Sequence, residues 1–91
     1  MSLTPKLRQA LKAKAHALKP VVLIGQQGLT DAVKKEIDAA LMHHELIKVR
    51  IRVAERDEKK AMFAEICQVM GAQLVQQIGK MGVIYRQREE R

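Results

Sequence analysis

Residues 21–30 read Val-Val-Leu-Ile-Gly-Gln-Gln-Gly-Leu-Thr, and this stretch narrows the architectures open to the chain more than any other. Val21, Val22, Leu23 and Ile24 are an unbroken apolar run with three β-branched members, the pattern of a short buried strand. Gly25, Gln26, Gln27 and Gly28 follow as a turn whose ends favour glycine. Thr30 supplies a hydroxyl N-cap, and Asp31 puts negative charge in the first turn of the next helix. The order is strand, glycine loop, helix N-terminus. Backbone N–H groups at such a junction have no intrahelical partner and face whatever lies in front of the loop. A phosphate oxygen suits that geometry.

The flanking segments read as a regular alternation of helices and strands. Thr4 caps a first helix with Pro5 at its first position, where the missing N–H costs nothing. Leu3, Leu7, Leu11 and Leu18, with Ala10 and Ala15, form one apolar stripe, flanked by Lys6, Arg8, Lys12, Lys14 and Lys19. The Lys19-Pro20 step ends this helix, because the residue before proline avoids the α region. A second helix spans residues 31–43, with Val33, Ile37, Ala40 and Leu41 facing inward and Met42 joining them. His43 and His44 fall in its last turn.

Residues 46–53 are the clearest strand. Ile47, Val49, Ile51 and Val53 alternate with Lys48, Arg50 and Arg52, so one face is buried and the other is a row of cations about 6.6 Å apart. A solvated outer face explains the alternation but does not require every outward residue to be basic. A third helix runs over residues 57–70, from an Asp57 N-cap to Gly71, with Met62, Phe63, Ile66, Cys67, Val69 and Met70 inside. Strands at residues 73–78 and 83–86 close the pattern as a hairpin around Gly79, Lys80, Met81 and Gly82. Residues 87–91 are a charged, fraying tail.

The element order α-β-α-β-α-β-β describes one α/β (α+β) domain over residues 1–91. Right-handed crossovers place helices two and three on the same sheet face. Strand one is apolar on both sides, so the leucine stripe of helix one is expected to fold back along it. Strand one rises roughly 13 Å, which equals about nine helical residues at 1.5 Å each. That arrangement brings Arg8 and Lys12 beside the glycine loop.

Ninety-one residues suffice for one modest core, and with no Trp, one Tyr and one Phe that core is aliphatic. No apolar run is long enough for a membrane span, and no amino-terminal segment looks like a secretory signal. The lone Cys67 excludes an internal disulfide and fits a reducing, cytoplasmic setting. A metal site needs three or four donors, and His16, His43, His44 and Cys67 offer no such set. Cys67 lies amid core residues, and the carboxylates sit in charged, exposed contexts. No catalytic residue, metal, cofactor or small-molecule substrate is expected.

The net charge is +7, and residues 1–30 carry five Lys or Arg and no carboxylate. Such a one-signed half points to a polyanionic partner. Helix one has no Trp or Phe for a lipid interface, so nucleic acid is favoured over membrane. The scarcity of aromatics argues against base stacking and for recognition of a folded RNA through its backbone. Gly-x-x-Gly is by itself a weak signal; its weight here comes from the strand before it, the capped helix after it and the cations nearby. The candidate contact residues are Gly25, Gln26, Gln27, Gly28, Thr30, Arg8, Lys12, Lys48, Arg50 and Arg52. A chromatin-like DNA-coating protein and a protein–protein adaptor with a basic face are the alternatives.

A set of motifs in fixed order carries a family resemblance. These are His16-x-Leu18-Lys19-Pro20-Val21-Val22-Leu23-Ile24-Gly25, Gly28-Leu29-Thr30, His44-Glu45-Leu46-Ile47-Lys48-Val49, Ile78-Gly79-Lys80 and Ile84-Tyr85-Arg86. Together they resemble the CRM domain (chloroplast RNA splicing and ribosome maturation), and the length is that of its bacterial stand-alone, YhbY-type branch. The resemblance implies a fold similar to the C-terminal domain of translation initiation factor three: a mixed four-stranded sheet of order 1-2-4-3 with an extra N-terminal helix. It also implies binding to ribosomal RNA in precursor large subunits and a role in ribosome assembly without catalysis; the chain is expected to act as a monomer. The family's glycine loop falls on Gly25, Gln26, Gln27 and Gly28 and is similar to the KH-domain loop that clamps a nucleotide backbone. Many members carry a Lys inside that loop. Gln26 and Gln27 add hydrogen bonds but no charge, so helix one and Lys48, Arg50 and Arg52 must supply more of it.

Overall fold

The computed structural model describes residues 3–52 and 55–87. In chain order these form α1 (Pro5–Ala15), β1 (Val22–Ile24), α2 (Asp31–His44), β2 (Leu46–Ile51), α3 (Arg56–Met70), β3 (Gln73–Ile78) and β4 (Met81–Tyr85). The strands make one sheet of order β1-β2-β4-β3. β1 and β2 run parallel, and β4 is antiparallel to both β2 and β3. This is the mixed sheet expected.

Local chemistry places most element boundaries. Thr4 Oγ1 accepts the Leu7 N–H at 3.1 Å, and Thr30 Oγ1 accepts the Val33 N–H at 3.2 Å, so both expected N-caps are formed. Gly71 closes α3 in the left-handed region at φ 64°. Three boundaries differ from expectation. α1 stops at Ala15, well before Lys19, because the Ala17 and Leu18 N–H groups bond back to Lys14 and Ala15 and tighten the last turn. α3 begins at Arg56 with Glu55 as an N-cap that makes no side-chain bond, so Asp57 lies in the first turn instead. The β3–β4 turn is two residues, Gly79 and Lys80, because Met81 already pairs with Ile78 and Gly82 with Gln77. The expected extension of strand two to Val53, and residues 88–91 of the expected tail, lie outside the described residues.

α2 and α3 share one face of the sheet. There Val22, Ile24, Ile37, Leu41, Ile47, Val49, Ile51, Phe63, Ile66 and Ile84 form the main core, all essentially inaccessible to solvent. Met42 and Val69, expected inside, are 59% and 52% exposed, since each sits just off the arc of its helix that meets the sheet. On the opposite face Leu11 and Ala15 of α1 pack with Leu46, Val75 and Val83.

α1 lies over β2 and β3 and does not run along β1 as expected. Two contacts decide this. Its buried pair Leu11 and Ala15 meets residues of β2, β3 and β4, and the Arg8 guanidinium bonds the β3 backbone. A helix of eleven residues is about 16 Å long and covers only part of a four-stranded face. Leu23, on the second side of β1, is consequently 54% exposed, and Leu7 and Leu18 of the expected stripe are 40% and 36% exposed.

Candidate nucleic-acid interface

Parallel pairing of β1 and β2 sends both strands toward the same edge of the domain, so the amino ends of α2 and α3 emerge side by side. The glycine loop sits there. The Gly28 N–H bonds the Gly25 carbonyl at 3.1 Å, and Gly28 adopts φ +70°. The Thr30 N–H turns back to the Gly28 carbonyl at 3.0 Å. The N–H groups of Gln26, Gln27, Leu29, Asp31 and Ala32 meet no acceptor among the described residues. Five open donors on one loop and helix end make an anion-binding surface.

The two glycines differ in what they contribute. Gly28 requires glycine for its left-handed backbone. Gly25 does not: its φ is ordinary, and a Cβ built on it meets nothing within 4 Å. The expectation that both ends of the turn need glycine for conformation therefore holds at Gly28 alone. At Gly25 the missing side chain leaves open space in front of the loop.

Arg50 and Arg52 lie beside this loop. Arg50 pairs directly with Leu23, two residues before Gly25, and is exposed. The Arg52 N–H bonds the Ile24 carbonyl at 2.9 Å, which sets Arg52 next to Gly25. Lys48 is half-buried and level with Val21, whose N–H bonds its carbonyl at 3.0 Å. That level is roughly 13 Å back from the loop along the strand direction. Lys12 of α1 and Lys48 line one groove there, so Lys12 stands behind the loop instead of flanking it.

Arg8 is elsewhere. Its Nη1 donates to the carbonyls of Leu74 and Val75 at 2.8 Å each, at the register shift of the edge strand β3. β3 and β1 are opposite edges of the sheet, so roughly 14 Å of strand spacings separate them before any offset along the strands is added. The placement of Arg8 beside the loop is thus corrected: its guanidinium binds successive carbonyls where the β3 ladder is interrupted. Thr30 stands at the loop, with its hydroxyl oxygen accepting the cap bond.

The same end holds basic residues that local patterns do not reveal. Arg56, Lys59 and Lys60 of α3 line a cleft with Gln77 and Gly79, shared with Asp57. Lys80 joins them because its carbonyl accepts the Ile51 N–H at 2.8 Å. The available signal was topological: two parallel strands followed by helices place both helix starts together.

Charge is divided between the two faces. All carboxylates of the described residues belong to α2, α3 and the residues that cap them. α1 and the outward side of the sheet carry cations alone, and β1 carries no charge. Among the described residues no cluster of three His, Cys, Asp or Glu is placed to hold a metal, and no helix is long and apolar enough to cross a membrane. Burial pushes the Cys67 thiol pKa up, which disfavours the thiolate a nucleophile needs.

Known proteins are similar to this chain in sequence and in shape. The family model of the CRS1 / YhbY (CRM) domain matches residues 3–86. The chain is 46% identical over 89 residues to an RNA-binding protein of Haemophilus influenzae, covering 98% of this chain and 90% of that protein. It is 44% identical over 86 residues to a probable RNA-binding protein of Pseudomonas aeruginosa, covering 94% and 83%. A solution structure from Staphylococcus aureus, of a protein proposed to bind RNA, superimposes with a TM-score of 0.85 at 37% identity and covers 98% of this chain and 93% of that one. With its glycine loop, its sheet order and this match over nearly its whole length, the chain belongs to the CRS1 / YhbY (CRM) domain family.

Proposed function

We propose that this domain binds RNA through the sugar–phosphate backbone, seating a phosphate against the glycine loop with Arg50 and Arg52 beside it. The observation that carries the reading is Gly25. Neither its backbone nor its packing needs a glycine, yet it clears the approach to five unpartnered amides. Close passage of another chain is what such a clearing serves. The naming of the relatives in Haemophilus influenzae and Pseudomonas aeruginosa as RNA-binding supports the same partner.

The finer reading follows the family resemblance: ribosomal RNA in precursors of the large subunit, bound in the cytoplasm by a monomer that aids assembly and catalyses nothing. The carboxylate-free face supports a large folded polyanion over a small ligand.

The test is Gly25→Val, titrated against a structured fragment of large-subunit ribosomal RNA at fixed salt. Open space at position 25 leaves the fold intact. Affinity is expected to fall about tenfold, the loss of roughly one charge-assisted hydrogen bond. Unchanged affinity in a folded variant overturns the loop's role. Equal competition by duplex DNA points instead to a DNA-coating protein, and co-purification of a protein partner after nuclease treatment points to an adaptor.

A further inference from the structure

Directly paired residues point to the same side of a sheet, and on the α1 side two cross-strand rows lie next to the loop. The nearer row is Leu23, Arg50, Met81 and Ile78, one residue from each strand. Behind it Lys48, Val83 and Gln76 are in register, and Lys12 and Ala15 of α1 close the back with His16, its C-cap. Because α1 docks over the far half of the face, this half stays open. Leu23 and Ile78 are 54% and 64% exposed at its ends. Between α1 and the strands lies a groove of about 170 Å³ with an apolar floor.

From this arrangement we infer a second RNA subsite: the groove takes one unpaired nucleobase, with uracil preferred, from the strand whose phosphate meets the glycine loop. The inference rests on the RNA-binding reading above. Size argues for one ring, since a cavity of about 150 Å³ holds benzene. Chemistry argues for uracil. The polar lining is Lys12, Lys48, His16 and Gln76, with no carboxylate. Ammonium groups only donate. Uracil offers two carbonyl acceptors to these ammonium groups and an N3–H that the Gln76 amide oxygen can accept, whereas cytosine and adenine present an amino donor where uracil presents its O4 carbonyl. Val83, Met81 and Ile78 supply an aliphatic surface for the ring face, where RNA-binding sheets of other folds use aromatic rings. Charge complementarity selects a nucleic acid as occupant, because this face carries cations without a compensating acid.

The test uses the full chain and hexanucleotides U6, A6 and C6, followed by methyl NMR of Leu23, Ile78, Met81 and Val83, with affinities from fluorescence anisotropy. U6 is expected to shift these methyl signals and to bind about fivefold tighter than A6 or C6, the low end of what one base contact contributes. Ile78→Ser and Lys12→Ala should each erase that preference; Ile78 is exposed, so its replacement leaves the fold intact. Loop amides that respond to U6 while groove methyls stay still would overturn the subsite and leave the loop reading standing. Failure to bind U6 and the structured ribosomal fragment alike would remove both. Groove methyl signals that move with protein concentration alone, together with a dimer by sedimentation, would make a second copy the occupant and overturn the proposal.

Discussion

Phe63 of α3 fills the space above Gly82 of β4, and a methyl group at position 82 would overlap its ring. Gly82 is paired with Val49 on one side and Gln77 on the other, so the strand cannot move away to make room. The Phe63 ring is fully buried and has no path outward. Gly82→Ala should therefore destabilise the domain by about 2–3 kcal/mol through overpacking. Urea unfolding measures it, and Phe63→Leu in the same chain should recover part of the loss, since the two sites couple directly.

Arg8 is expected to act on stability more than on binding. Arg8→Ala removes both bonds to the Leu74 and Val75 carbonyls and should cost about 1–3 kcal/mol. The salt dependence of RNA affinity should stay as in the unaltered protein. A reduced salt slope with unchanged stability would return Arg8 to the RNA interface.

Arg50 is expected to behave in the opposite way. It is exposed and makes no ion pair among the described residues, so Arg50→Glu should leave the unfolding midpoint nearly unchanged. With about four phosphates neutralised, log affinity should fall with log salt at a slope near −3, and the variant should flatten that slope by about one. Titrations across a salt series provide the measurement.

Gly28→Val separates backbone strain from blocked approach. At φ +70° a β-branched residue should cost about 1–2 kcal/mol, whereas Gly25→Val carries no such penalty. Both should weaken RNA binding, but only the first should lower the melting temperature. Equal melting temperatures would show that the turn rearranges to accept the larger side chain.

Cys67 should react slowly. Burial raises its pKa, so iodoacetamide at neutral pH is expected to modify it more slowly than the same cysteine in urea-unfolded chain. Because the folded pKa lies above the unfolded one, this thiol's contribution to stability is complete below its unfolded pKa. It is lost as pH rises through the folded value. Mass spectrometry of timed alkylation reads the rate.

Local pattern determined a great deal here. The Thr4 and Thr30 caps, the left-handed Gly28 and Gly71, and the inward face of Ile47, Val49 and Ile51 are legible because each depends on residues within one or two turns of itself. The sequence also marked the loop and the cations on β2. Tertiary structure alone decided where α1 docks, and with it the fate of Arg8, Lys12 and Leu23. A stripe of leucines states that a helix must be covered but not by what, since burial is non-directional and several sheet positions could satisfy it. The choice was made by Leu46, Val75 and Val83, which come from three different strands and are adjacent only once β2, β4 and β3 are in register. The same docking left half of the sheet face uncovered beside the glycine loop, and no periodicity within the chain encodes that open half.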